Sequence, residues 1–158
     1  MNIYLARHGD AIYQHPDDLS PLSTKGEKDI DTLAKFLLPL QLEVTIFHSG
    51  KLRAQQTAER LAAGVILNGA ITTHEGLNPT DPVLPIANEL NEGISDVMLV
   101  GHMPFMGRLV GQLINKNANQ DVVAFHKGTL LCLQYTGNAE WVIDWVLHPG
   151  IIPLQKNV

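Results

Sequence analysis

Apolar residues fall along this chain in short blocks whose spacing alternates between strand and helix. Ile3 to Ala6 is an unbroken apolar run that stops at Arg7-His8-Gly9, the pattern of a buried strand entering a turn. Thr24-Lys25-Gly26-Glu27 has capping-box spacing, after which Ile30, Leu33, Ala34, Leu37 and Leu38 share one helical face until Pro39. Val44 to Phe47 predicts a second strand. Ser49 stands where it can cap the next helix, whose Ala54, Ala58, Leu61 and Ala62 face one way until Gly64.

Ala70 to Thr73 predicts a third strand, leading to His74 and Glu75. Asp81-Pro82 reads as N-cap and first helical position, with Val83, Ile86, Ala87 and Leu90 as the apolar stripe. Val97 to Val100 has the charge-free character of a central parallel strand. It ends at Gly101-His102, and Pro104 opens a helix carrying Met106, Val110 and Leu113 on one face. Leu130 to Tyr135 and Trp141 to Val146 then predict two strands joined through Thr136-Gly137-Asn138-Ala139, a hairpin that closes the sheet. Trp141 and Trp145 are expected to pack beneath a helix. Strand alternating with helix implies a three-layer α/β/α sandwich with a mostly parallel sheet and an antiparallel C-terminal edge.

Composition narrows this further. A chain of 158 residues, 45% hydrophobic and 17% charged, suits one globular domain over residues 1–158. The net charge of −5 argues against broad nucleic-acid binding, although a local arginine pair can still oppose the global field. Cys132 is the single cysteine, which removes an intrachain disulfide, a CxxC redox pair and an all-cysteine metal site. The apolar stretch from Val97 to Gly107 contains His102 and is too short and polar to span a bilayer. The N-terminus lacks the basic region of a signal peptide, so the expected compartment is the cytoplasm.

In open α/β sheets, ligands bind outside the carboxyl ends of the strands. That rule selects Arg7-His8-Gly9, His48-Ser49, His74-Glu75 and Gly101-His102. The Arg7 fork matches phosphate oxygens bidentately, the adjacent His8 imidazole can attack phosphorus, and Gly9 lets the chain turn sharply. Arg53 lies in the first turn of its helix, where free N–H groups favour an anion. His102 follows a buried strand and precedes another such terminus. Singly, each has a plainer account: a solvated loop, a surface charge, a histidine bonded to a carbonyl. Convergence on one edge favours a phosphate site. His15, His48, His74, His126 and His148 show no HExxH and no regular pairing with acids or cysteine, so no metal is expected. No GxGxxG follows the first strand, and Met98, Met103 and Met106 read as core and pocket wall.

The segments MNIYLARHGDA, HSGKLRAQQTAE and VMLVGHMPFMGRLV together resemble the histidine phosphatase superfamily in its short, phosphoglycerate mutase-like form, and most nearly the SixA-type phosphohistidine phosphatases. The resemblance implies that His8 is a nucleophile that becomes transiently phosphorylated. It implies further that Arg7 and Arg53 hold the phosphoryl oxygens, that His102 assists them, and that neither metal nor cofactor is needed. The implied partner is a phosphohistidine-containing protein, such as a phosphorelay or phosphotransfer domain. A phosphomonoesterase or mutase of small metabolites and a non-catalytic phosphate-binding module are the competing readings. Two departures stand out. Gly50 replaces a proline common in the superfamily, which loosens the turn before Arg53. No acid is firmly placed over a leaving group: Asp10 and Glu75 are candidates, each with a plainer role as a loop cap, an Arg7 partner or a solvated charge. A phosphorylated imidazole leaves more readily than an alkoxide, so a weak or absent acid fits a phosphoramidate substrate.

Overall fold

The computed structural model describes residues 1–153. Its sheet comprises β1 (Asn2–Arg7), β2 (Glu43–His48), β3 (Ile66–Leu67), β4 (Thr72–Thr73), β5 (Val97–Gly101), β6 (Leu130–Gly137) and β7 (Glu140–Leu147). The order is β3-β2-β5-β1-β6-β7, with β4 also paired to β2. β1 to β5 run parallel, and β6 and β7 form the antiparallel edge. The helices are α1 (Thr24–Leu37), α2 (Leu52–Leu61), α3 (Leu84–Glu92) and α4 (Phe105–Asn115).

Alternation along the strands divides the core. Ile3, Leu5 and Leu99 pack with Ile86 and Leu90 of α3 and Leu109, Val110 and Leu113 of α4. Tyr4, Ala6, Met98 and Val100 pack with Ile30, Leu33 and Leu37 of α1 and Ala54, Ala58 and Leu61 of α2. Each fully buried Leu or Ile is worth about 1.5–3 kcal/mol relative to exposure, and that gain on both faces fixes the three layers. Continuing the alternation sends Arg7 toward the α3 and α4 face, where its guanidinium donates to the Phe125 carbonyl at 2.7 Å.

Local chemistry departs from expectation in several places. Ser23, not Thr24, caps α1, its hydroxyl accepting from Gly26 N at 3.0 Å. Glu27 is therefore no partner in a capping box; it pairs with Arg60 at 3.1 Å. Asp81 does not cap α3, which begins at Leu84; its carboxylate instead accepts from Asn78 N at 2.8 Å and closes the preceding turn. The two-residue β3 lies where the sequence predicts only the end of a helix. Trp141 is buried beneath α3 and donates to Asn91 Oδ1 at 2.8 Å. Trp145 lies on the opposite face against Tyr4, because one extra residue in β7 breaks the register between Cys132 and Leu133. Met98 and Met106 are core, and Met103 lines a cavity of about 440 Å³ with Phe125.

Gly9 owes its identity to packing rather than to a special turn. A Cβ there would lie 3.1 Å from Ile30 Cγ1 and 3.2 Å from the Gly26 carbonyl. Gly50 does adopt a left-handed backbone, with φ +94°, and its N–H donates to His48 Nδ1 at 3.1 Å. The turn before α2 is thus pinned by His48, not loosened. Gly50→Pro is expected to destabilise the fold by more than about 1 kcal/mol, since proline offers neither that φ nor the donor. A urea midpoint equal to wild type would contradict this account.

Candidate active site

The backbone ladders run one residue past the strands and so position the site. His8 N donates to the Gly101 carbonyl at 2.9 Å, and Ser49 N to the Val100 carbonyl at 3.2 Å. These bonds set the ends of β1, β2 and β5 side by side. The His8 and His102 rings lie 5.0 Å apart between centroids, and both residues are buried. Gly9 N donates to Thr57 Oγ1 at 3.1 Å, and that hydroxyl donates to the Arg53 carbonyl at 2.7 Å, tying the His8 turn to the first coil of α2.

His8 Nδ1 lies 2.7 Å from the Gly9 carbonyl. A carbonyl only accepts, so Nδ1 carries the proton of the neutral ring and the Nε2 lone pair is free. Burial, aided by Arg53 and Arg7, pulls the His8 imidazole down to about 4 despite the Gly9 bond. Burial also takes His102 down to about 3, with His8 and Arg53 contributing in that order. Both rings are therefore neutral near pH 7. Arg53, itself buried, donates to the Asp17 carbonyl and to Asp17 Oδ2, both at 3.1 Å, and its guanidinium lies 5.4 Å from the Tyr13 ring. Arg7 Nε, Arg53 Nε and His102 Nδ1 are buried with no hydrogen-bond partner among the described residues. Three of the four residues singled out from the sequence thus carry a buried nitrogen that internal bonding leaves free, as it also leaves Arg108 Nε and Thr129 Oγ1.

Linkage gives these histidines a measurable signature. Unfolded, each titrates near 6.5, whereas folded they stay neutral down to about 4 and 3. The unfolded state thus binds more protons below pH 6.5, and stability present above that pH is lost as pH falls toward 4. Each ring is expected to contribute a slope of up to about 1.4 kcal/mol per pH unit. Urea melts of wild type and His8→Gln between pH 6.5 and 4.5 check this: the variant's slope should be shallower by one such contribution, and parallel curves would refute it.

The remaining candidates divide clearly. Asp10 accepts from Ser23 Oγ at 2.6 Å and Lys127 Nζ at 3.1 Å, and the Ser23 bond leads in holding its carboxyl below the usual range. Its two partners hold it as the carboxylate in the resting site. Glu75 is exposed, and its carbonyl binds the His74 ring at 2.6 Å. His74 also bonds Glu89 Oε1 at 3.0 Å, His126 stacks on His148 with centroids 4.6 Å apart, and His15 is exposed. A second cavity, of about 410 Å³, lies between α3 and the sheet and includes none of the four clustered residues. Ser49 is not the cap of α2; its Oγ sits 2.6 Å from His102 Nε2. Sequence reasoning misses Thr57, Lys127, Tyr13 and Asp17. Only Thr57, four residues after Arg53, has a helical spacing that could expose it.

Comparison with known proteins places the chain in a family. The family description "Histidine phosphatase superfamily (branch 1)" matches residues 3–81. The phosphohistidine phosphatase SixA of Escherichia coli K12 is 30% identical, with all of both chains covered. The chain belongs to the histidine phosphatase superfamily. It is a SixA-like member and a hydrolase of that class. The SixA homolog of Haemophilus influenzae is 26% identical over 96% of this chain and 98% of its own length. A solved structure of the protein histidine phosphatase SixA complexed with tungstate superposes with TM-score 0.85 at 24% identity, over 95% of this chain and 98% of that one. The likeness confirms the phosphoglycerate mutase-like fold. Among the described residues, no helix is long and apolar enough to cross a membrane.

Proposed function

We propose that this chain is a phosphohistidine phosphatase, one domain over residues 1–158 acting in the cytoplasm on a phosphohistidine-containing protein of a phosphorelay or phosphotransfer system. The observation that carries the reading is a buried, neutral His8 whose Nδ1–H is held by the Gly9 carbonyl, leaving Nε2 as a nucleophile among Arg7, Arg53 and His102. In the first step the Nε2 lone pair bonds to phosphorus while the substrate P–N bond breaks, its electron pair leaving on the substrate imidazole, which takes a proton from solvent. In the second, water attacks phosphorus, the His8–phosphorus bond breaks, and inorganic phosphate departs with the water's oxygen. Arg7, Arg53 and His102 hold the equatorial oxygens, supplying alignment and charge without a metal.

Asp10 is locked as a carboxylate, and Glu75 is exposed on its loop. An alkoxide leaving group needs a proton from the enzyme; an imidazole does not. This supports a phosphoramidate over a phosphate ester, as do the full-length relatives named phosphohistidine phosphatases. Exposed Ile12, Tyr13 and Leu19 lie on the loop that carries Asp17 to Arg53, an apolar margin that suits a protein substrate.

The test is metal-free release of inorganic phosphate from a phosphohistidine-containing protein and from a simple alkyl phosphate. Preference for the phosphohistidine by kcat/KM is expected. Preference for the ester would move the chain to the small-metabolite class and make Glu75 the next target. Inertness toward both would favour a phosphate-binding module.

A further inference from the structure

His102 has two buried ring nitrogens, of which one is bonded. Nε2 lies 2.6 Å from Ser49 Oγ, whereas Nδ1 has no partner among the described residues. Ser49 Oγ also accepts from Lys51 N at 3.3 Å. The hydroxyl has a single proton, and among the described residues His102 Nε2 is the acceptor within reach of it.

Two arrangements of the neutral ring are possible, and proton accounting separates them. With the ring proton on Nε2, that nitrogen would donate to Ser49 Oγ. The hydroxyl's own proton would then have no acceptor among the described residues, and Nδ1 would be a bare lone pair with no donor among them. With the proton on Nδ1, Ser49 accepts from Lys51 and donates to Nε2. One unpaired group remains, an N–H donor at Nδ1, and an unpaired donor in this place matches an anionic oxygen. Leaving fewer buried groups unsatisfied favours the second arrangement, since each orphan costs about 1–3 kcal/mol.

We propose that Ser49 is a positioning residue: its hydroxyl donates to His102 Nε2, fixes the neutral ring as the Nδ1–H tautomer, and so presents Nδ1–H as a donor to the phosphoryl group. The donor's use rests on the proposed function; the tautomer does not. It also accounts for a serine placed where helix capping is expected, at the end of β2 beside β5 and not on the helix it precedes.

The experiment is a long-range proton–nitrogen NMR spectrum of the folded, nitrogen-15-labelled protein, with inorganic phosphate binding measured on the same samples. Wild-type His102 is expected to show a protonated Nδ1 and an unprotonated Nε2. Ser49→Ala should lose that pattern and bind phosphate about tenfold more weakly, with kcat/KM falling in parallel. Ser49→Thr, which keeps the hydroxyl, should restore both. A protonated Nε2 in the wild type would overturn the inference, as would Ser49→Ala with an unchanged tautomer and phosphate affinity. Failure of the wild type to hydrolyse phosphohistidine would defeat the functional reading alone, because tautomer and phosphate affinity are read without turnover.

Discussion

His8→Ala is expected to lower kcat/KM on a phosphohistidine-containing protein by at least about 10³-fold, because the covalent route disappears with the nucleophile. What remains is direct attack by water on a substrate still held by Arg7, Arg53 and His102. The variant should fold. The His8 backbone bonds to Gly101 and Gly128 do not involve the side chain, and the Gly9–Thr57 link survives as well. The loss is a buried ring of the kind whose truncation costs about 3–5 kcal/mol at most, less here because a poorly solvated, titratable group goes with it. A second readout separates chemistry from folding. Wild type quenched during turnover should carry an acid-labile, base-stable phosphoryl group that the variant lacks. Turnover by the variant within tenfold of wild type would remove His8 from the mechanism.

The framework that holds His8 is legible in the amino-acid pattern. Ile3 to Ala6 and Val97 to Val100 are charge-free runs, and continuous burial on two faces is written into such runs directly. The α1 stripe is equally plain, since Ile30, Leu33 and Leu37 repeat at helical spacing and all are buried. Once those strands are set, the sheet-edge rule delivers Arg7, His8 and His102 to one place, and Arg53 follows from the helix after β2.

Less legible are features decided by contacts distant in sequence. Ser49 precedes a helix and looks like its cap, yet its hydroxyl is claimed by a histidine 53 residues away. Trp141 and Trp145 have spacing that places them together, and a bulge separates them. Asp17 meets Arg53 across 36 positions from a loop with no periodicity at all. β3 is two exposed residues beside β2, too short and too solvated to leave a pattern. Gly50 suggests slack because it replaces a proline; only the φ and the His48 bond reveal a different, fixed turn.

Arg53→Ala is the second large effect expected, a loss on the order of 10²–10³-fold in kcat/KM. Arg53→Lys should recover little of it, since an ammonium supplies charge without the planar fork that grips two oxygens. The side chain is buried, yet its partner Asp17 has half its surface in solvent, and Nε has no partner among the described residues. A buried guanidinium so incompletely paired contributes little to folding, because desolvation offsets most of what the Asp17 bonds return. Stability of Arg53→Ala is therefore expected within about 1 kcal/mol of wild type, and activity and urea midpoint should part company. If the midpoint instead collapses alongside activity, Arg53 is chiefly a structural tie between α2 and the Asp17 loop. Asp17→Asn decides the same question from the other side. It weakens the resting hold on the guanidinium without removing the fork, so an anion clamp should keep its turnover and a structural tie should lose it.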